Sequence, residues 1–339
     1  MKDLCRIELR LKEKLELDNN GTLFANYQLI RDYLFKNIYP EIGGKLPNFT
    51  YHDGSHVIDV LENIYLLLDD KTNAVTSETL YFLCLSALFH DVGLVYDRDE
   101  HQRKIGEIYN SSHGNNNLHV FGNEKIIISK SVEAHSGKTV HNNNDTLEYL
   151  GELSGYSEMI NIKDIAAMLK FADELAEGGQ RTSDYFLDKG MYPKNNIIFH
   201  RYSQAYSSVI SPKDNRLAIT YNVTFYLNDF NDLIIDPEIK LIDFLDFVYK
   251  RIIKLDDERK YCKYYCRWLD SMKEISIKFN FWYNGDHIEI GLNPLVISDK
   301  VIPGDFERNI EKLNKDYNNN YIIEELQKII EIKGKELSI

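Results

Sequence analysis

Two aspartates occupy positions where the sequence predicts apolar helix faces. Asp173 follows Leu169 by one helical turn, and Asp91 stands beside His90 at the end of the most hydrophobic stretch of the chain. A carboxylate is costly to bury unless it is paired or coordinates a metal. His56 begins a further apolar helix, so two acids and two histidines can compensate their burial together around one divalent cation. The pattern therefore predicts a metal site.

Each of these residues, taken alone, has an ordinary structural explanation. A single histidine on an apolar face is more often a hydrogen-bonded core residue than a metal ligand. A single aspartate near a helix end is more often a cap or a salt-bridge partner. The combination of His56, the His90-Asp91 pair and Asp173, in this order, is what favours a metal site.

Four segments of the chain resemble a known family. They are YHDGSHVIDVLENI, ALFHDVGL, EAHSG and FADELAEGGQRT, and they fall within about residues 45–185. Together they resemble the HD superfamily of metal-dependent phosphohydrolases, and they look most like the HD-CE branch, whose members occur in prokaryotic conflict and signalling systems. The resemblance implies an all-helical bundle in which His56, His90, Asp91 and Asp173 bind a divalent metal. The branch that cleaves cyclic-di-GMP is disfavoured, because its Gly-Tyr-Pro signature does not follow the His-Asp pair.

Two further histidines bear on the number of metal ions. Superfamily members with two metals add two histidines between the His-Asp pair and the final Asp, and His101 and His135 fit these positions. His113 and His119 are competitors, but they lie in the polar segment SSHGNNNLH and are expected to be solvated. One ion and two ions are both compatible with the sequence, and two would form the clamp used in phosphoester cleavage.

The predicted ligand set also limits the metal and its chemistry. Imidazole and carboxylate without thiolate suit Mn, Fe, Mg, Zn, Ni or Co, and the sequence does not choose among them. Such a metal would activate a water for attack on phosphorus. Asp91 is predicted to act in catalysis by bridging the ions or orienting that water. Glu174 follows a ligand directly and points about 100° away on a helix, so it is predicted to support catalysis from behind the ligands.

Several side chains near the motifs are candidates for contact with the substrate. Arg103, Lys104 and Arg181 could hold substrate phosphates. Each of them could equally be a solvated surface cation. His52, one helical turn before the first histidine of the motif, could face the same cleft.

Charge and hydropathy exclude some classes of function. A formal net charge of −13 argues against extended binding to DNA or RNA, where many phosphates must be neutralised. A small nucleotide remains possible, because a metal and a few local cations can override the global field within one cleft. The N-terminus lacks the apolar core of a signal peptide, and no run approaches the ~18–20 apolar residues that span a bilayer. The sequence therefore predicts no membrane association and a cytoplasmic location.

The cysteines do not suggest a second metal site. There are four, and Cys262 and Cys266 lie one helical turn apart. A zinc site would need two more nearby ligands, so two thiols on one face of a helix is the better interpretation. Nothing suggests a disulfide framework.

The first half of the chain is predicted to be mostly helical. Apolar residues recur with helical spacing, and Gly93 is expected to end the most hydrophobic helix as a C-cap. The predicted helices cover residues 56–68, 78–92, 99–110, 121–135 and 162–176.

The pattern changes to strands after Gly178-Gly179. Strict alternation over 216–227 predicts a half-buried strand, and Asn284-Gly285 is a strong hairpin signal. The remaining predicted elements are a partner strand over 204–210, a second hairpin formed by 275–282 and 286–292, a long helix or helix pair over 237–270, and terminal helices over 304–335.

The chain is therefore predicted to be mainly α. An HD-type helical bundle is expected over residues 1–190, followed by a smaller α+β accessory domain over 191–339 with two β-hairpins and terminal helices. The accessory domain could mediate homo-oligomerisation or bind a partner protein.

Three functions compete for this chain. The first is a phosphohydrolase that acts on the phosphoester or phosphoanhydride bonds of a nucleotide in a prokaryotic antiviral defence or signalling system. The second is an HD-type nuclease or phosphodiesterase on single-stranded nucleic acid, against which the net charge counts. The third is a catalytically silent nucleotide sensor, against which the intact ligand set counts.

Overall fold

The computed structural model describes residues 3–96, 104–113, 122–135, 143–300 and 308–336. The chain forms two compact units. The helical unit comprises Met1–Pro47, Tyr51–Ala176 and Tyr261–Ser271, and the sheet unit comprises Asn48–Thr50, Glu177–Lys260 and Met272–Ile339. The division of the chain into domains over 1–190 and 191–339 stays a prediction.

The helical unit confirms the predicted bundle. Its described elements are α1 (Arg6–Leu17), α2 (Gly21–Asn37), α3 (Tyr39–Lys45), α4 (Gly54–Leu68), α5 (Ser77–Phe89), α6 (Ile105–Ser112), α7 (Gly122–His135), the short hairpin β1 (Glu152–Ser154) and β2 (Met159–Asn161), and α8 (Ile162–Glu174). Helix α5 is buried on nearly all sides, as its continuous apolar sequence predicts, so it forms the centre of this core.

The prediction that this central helix runs to residue 92 and ends at Gly93 is wrong. Helix α5 ends at Phe89, and Gly93 lies in a following turn of 3-10 helix over Val92–Val95. Side chains take the carbonyls that a longer helix would use, because His90 Nδ1 donates to Ala87 O at 2.8 Å and the Tyr39 hydroxyl donates to Leu88 O at 2.5 Å. The chain therefore leaves the helix at the His-Asp pair.

The same region corrects the expectation about apolar runs. Among the described residues, the helical segment Ser77–Val95 is long and apolar enough to cross a membrane by composition. However, 89% of it is buried inside the protein, as a core helix is.

The sheet unit contains a seven-stranded sheet. Its described elements are α9 (Asp184–Asp188), α10 (Ile197–Ala205), β3 (Tyr206–Ser211), β4 (Arg216–Leu227), β5 (Leu233–Asp236), β6 (Ile239–Lys240), β7 (Glu274–Tyr283), β8 (Asp286–Ile288), β9 (Leu295–Ser298), α12 (Ile310–Leu313) and α13 (Asn319–Glu336); α11 (Leu241–Tyr265) contributes to both units.

Both predicted hairpins form, and β4 joins them in one sheet. Strand β3 pairs antiparallel with β4, and β7 pairs antiparallel with β8 through Asn284-Gly285, whose φ angles of 49° and 86° fit the expected hairpin turn. Strand β4 pairs parallel with β7, from Arg216 opposite Glu274 to Phe225 opposite Tyr283. Strand β8 ends at Ile288, earlier than the predicted 292, and its last residue paired with β7 is Ile288, opposite Phe281.

Candidate metal centre

Helix α4 positions the first histidine of the motif. The Asp53 side chain caps the helix by accepting a hydrogen bond from Ser55 N at 2.8 Å. Gly54 lies close against α2, since a Cβ at this position would come 2.7 Å from a ring carbon of Phe35. His56 follows on the buried face and is 1% exposed.

The end of α5 positions the His-Asp pair. The hydrogen bond from His90 Nδ1 to Ala87 O fixes the ring and leaves Nε2 directed away from its own helix. Asp91 comes just beyond the helix with φ −113° and ψ 1°. Both residues are buried, so their charges must be balanced by neighbours.

Helix α8 positions the last aspartate. The Asn161 side chain caps it by accepting hydrogen bonds from Lys163 N and Asp164 N. Asn63 of α4 donates to Ala172 O at 3.0 Å and so ties the two helices together beside Asp173. The Asp173 side chain is 28% exposed and gives the centre a side accessible to solvent.

Three of these side chains converge on one point. His56 Nε2 lies 3.0 Å from Asp173 Oδ1, His90 Nε2 lies 3.3 Å from His56 Nε2, and His90 Nε2 lies 3.7 Å from Asp173 Oδ1. Asp91 Oδ2 lies 3.2 Å from His90 Nε2 and 3.7 Å from His56 Nε2. Ligand atoms about 2.1 Å from one ion stand about 3 to 4 Å apart, so these separations suit a divalent metal.

The two carboxylates of the centre favour positive charge on the groups around them. Burial alone would lower the pKa of His90, but the charges of Asp91 and Asp173 and the hydrogen bonds that His90 donates to Asp91 and Ala87 O raise it to about 9. Burial alone would raise the pKa of Asp91, yet His90, His52 and His56 hold it well below its usual range. Burial alone would also raise the pKa of Asp173, but a hydrogen bond from His56 and the charges of His90 and His56 lower it below its usual range.

The residues present fit a divalent metal. The Nδ1 proton of His90 is donated to a carbonyl, so in the neutral ring Nε2 carries a lone pair, and this lone pair points toward His56 Nε2 at 3.3 Å. If His56 Nε2 also carries a lone pair, the two repel each other unless a proton or a cation lies between them. His56, His90 and Asp173 form the group of potential ligands found among the described residues, with Asp91 beside it. One feature is unusual, since His56 Nδ1 is buried without a hydrogen-bond partner among the described residues.

His135 lies beside the centre without joining the three-residue group. Its ring centroid is 5.5 Å from that of His90, and its Nδ1 donates to Val132 O at 2.5 Å. Burial lowers the pKa of His135 to about 4, so the ring is neutral at physiological pH and suited to bind a metal. His101 falls outside the described residues, so a second metal ion stays a prediction.

The other predicted site residues are placed as follows. His52 lies beside the centre, with its ring centroid 5.6 Å from that of His56. Glu174 is the last residue of α8, partly exposed and outside the three-residue group. Lys104 forms an exposed ion pair of 3.1 Å with Glu107. Arg181 is buried in the sheet unit and pairs with Glu177 at 3.4 Å, while Arg103 falls outside the described residues. The catalytic and substrate-binding roles of these residues stay predictions.

The expectation that His113 is solvated is wrong. Its side chain is 4% exposed, Nδ1 donates to Tyr109 O at 2.8 Å, and Nε2 lies 3.4 Å from Glu124 Oε1. The spacing of four residues between Tyr109 and His113 was the available signal, because it places both on one helix face. His119 falls outside the described residues. All four cysteines are buried, and none of them forms a disulfide among the described residues.

Two residues that support the centre were not predicted from the sequence. Lys170 is buried on α8, and its Nζ donates to His135 O at 3.0 Å. Tyr39 is buried, and its hydrogen bond to Leu88 O helps to end α5 at the His-Asp pair. Lysine on the apolar helix was a weak signal, whereas nothing in the sequence near Tyr39 connects it with the motif.

A helical bundle that gathers a histidine, a His-Asp pair and a later aspartate defines an HD-type protein. The family model HD-CE matches residues 46–254, which is more than half of the chain, and the chain belongs to this family. The match extends beyond the four motif segments into β3 and β4 and into α11. Comparison with curated proteins gives no match, and neither does comparison with solved structures.

Proposed function

We propose that this protein is a metal-dependent phosphohydrolase that cleaves a phosphoester or phosphoanhydride bond of a nucleotide. The observation that carries the proposal is the convergence of His56 Nε2, His90 Nε2 and Asp173 Oδ1, with Asp91 alongside. Membership of the HD-CE family supports an HD-type site. We place the activity in the cytoplasm of a prokaryote, in a defence or signalling system, as the family resemblance suggests.

The chain's own residues divide into distinct tasks in this proposal. His56, His90 and Asp173 would hold the cation, with Asp91 as a fourth ligand. A divalent cation held there would supply Lewis acidity toward a phosphoryl oxygen and would lower the pKa of a water. Asp91 has a pKa far below neutrality, so it is a poor proton acceptor and orients a nucleophile rather than deprotonating it. Asp173, partly exposed, marks the side from which substrate approaches.

The substrate class follows from charge as well as from the site. A net charge of −13 repels a long polyanion, while the cost for a mononucleotide is confined to one cleft. A nuclease acting on single-stranded nucleic acid is therefore the weaker alternative. A catalytically silent nucleotide sensor would need the same site but no turnover.

An activity panel tests the proposal. The protein loaded separately with Mn, Fe, Co, Ni, Zn or Mg is assayed with nucleoside triphosphates, deoxynucleoside triphosphates, cyclic nucleotides and single-stranded DNA. Turnover of a mononucleotide is expected with at least one metal. Turnover of single-stranded DNA alone would establish the nuclease, and nucleotide-dependent thermal stabilisation without turnover would establish the sensor.

Variants test the ligand assignment itself. His90→Ala and Asp173→Ala should each lose bound metal, measured by elemental analysis, together with activity. His287→Ala and Asp229→Ala are matched controls, because both residues are exposed and belong to the sheet unit. Stoichiometric metal in both ligand variants would refute the assignment.

A further inference from the structure

The sheet unit contains a cavity of about 420 Å³ at an interruption in the sheet. Strand β3 pairs with β4 up to Tyr221, and β5 pairs with it again from Tyr226. Between them, residues 222–225 pair with β7, and among the described residues no strand covers their other edge. Because the backbone groups of a strand alternate in direction, two of these four residues present an N–H and a C=O toward this gap.

The cavity has aromatic and polar walls. Trp282 is partly exposed and lies opposite Thr224 in the parallel ladder, and Tyr226 is 46% exposed. Asn222 and Gln204 add amide groups to the lining. A volume of this size with a few polar groups around aromatic surface is typical of small-molecule sites, which span about 300 to 1,000 Å³.

Two charged residues in the lining give the cavity its electrostatic character. The Arg201 guanidinium donates to Asp236 at 3.1 Å, which neutralises its charge, and to Gln204 at 3.0 Å. Asp188 is an exposed carboxylate of the lining, and no described cation pairs with it.

These features select a ligand class. The aromatic side chains favour a planar ring, which stacks on the face of an indole or phenol. The strand edge and the amides match a ring edge that carries both donors and acceptors. Asp188 accepts from hydroxyl groups and disfavours a phosphate, since the Arg201 charge is already matched by Asp236.

We propose that this cavity binds an uncharged nucleoside, with its base against Trp282 and its sugar hydroxyls toward Asp188. The inference concerns a site in the sheet unit and does not require that the metal centre hydrolyse nucleotides.

Fluorescence provides a direct test, because the chain has two tryptophans, Trp268 and Trp282. The Trp268→Phe variant keeps Trp282 as its sole indole and is titrated with adenosine, guanosine, cytidine and uridine to millimolar concentration. A saturable change in emission is expected with at least one nucleoside. The matched variant Trp282→Phe, which keeps the buried Trp268, should show no such change. No response from Trp282 with any of the four would overturn the proposal.

Calorimetric titration of further variants locates the ligand. Asp188→Asn, a substitution at an exposed position, and Arg201→Gln should each weaken nucleoside binding severalfold, because both side chains line the cavity. His90→Ala should bind as the wild type does. Loss of binding in His90→Ala, or unchanged binding in both cavity variants, would place the nucleoside elsewhere and overturn the proposal. In His90→Ala, whose metal centre is disabled, the 5′-monophosphates should bind no more tightly than the nucleosides, and tighter binding would contradict the assigned charge preference.

Discussion

Two clusters of buried charged groups among the described residues are stabilised differently. In the sheet unit, Arg259 and Asp256 are both fully buried, and two guanidinium nitrogens donate to Asp256 Oδ1 at 2.9 and 2.7 Å. A third nitrogen donates to Met272 O and to Asp299, each at 2.6 Å. In the helical unit, the described ion pairs of Asp91 and Asp173 are to histidines alone.

The difference lies in the balance of donors and acceptors. Around Arg259, permanent donors meet acceptors, and the protein completes the network by itself. At the metal centre, His90 donates its Nδ1 proton to Ala87 O. The carboxylate oxygens of Asp91 and Asp173 therefore outnumber the permanent donors that face them. Burial of charge therefore does not by itself indicate a metal site, whereas an excess of buried acceptors that face one point favours one.

The largest predicted effect on stability is in the Arg259 network. Asp256→Ala should lower the free energy of unfolding by about 3–5 kcal/mol, because it leaves part of a fully buried guanidinium unpaired. Urea denaturation measures this loss, and metal content should not change. The neighbouring Asp257→Ala is the matched control: its side chain is 60% exposed and its ion pair with Arg308 contributes less than about 1 kcal/mol. Equal losses in the two variants would contradict the comparison.

The metal centre should instead make stability depend on pH. The pKa of His90 is raised from 6.5 to about 9 in the folded protein, so its contribution is fully present below about pH 6.5 and is lost as the pH rises through about 9. The contribution amounts to about 3 kcal/mol. Urea unfolding in the presence of a chelator should show this loss for the wild type and not for His90→Asn. The same slope in both proteins would mean that His90 is not the titrating group.

Metal binding should add stability of a similar size to the same centre. At about one hundred times Kd, a ligand specific to the folded state stabilises it by about 2.7 kcal/mol. Thermal unfolding with and without chelator should therefore differ for the wild type and for Asp257→Ala, but not for Asp173→Ala. A smaller difference in His135→Ala than in the wild type would support a second ion, and an unchanged one would leave a single ion.

The sequence predicts the parts of this site that depend on local pattern. The buried face of α4 and the inward residues of α8 agree with their helical spacing, and the order of the histidines and aspartates identified the centre. The end of α5 could not be predicted, because it depends on Tyr39, which is distant in sequence and occupies a carbonyl of the last turn. The parallel pairing of β4 with β7 could not be predicted either, because alternation of apolar residues defines the faces of a strand but not which distant strand pairs with it.

The smallest predicted effect concerns Lys104, for which the sequence allows two roles: contact with substrate phosphates or a solvated surface cation. Lys104 and Glu107 form an exposed pair, so Lys104→Ala should change the free energy of unfolding by less than about 0.5 kcal/mol. Because stability is unaffected, kinetics can decide the role of the side chain. A KM that rises severalfold at constant kcat would assign Lys104 to the substrate phosphates, since ground-state and transition-state binding would weaken equally. An unchanged KM would assign it to the solvated surface and leave Asp173 as the exposed edge of a centre whose remaining ligands are buried.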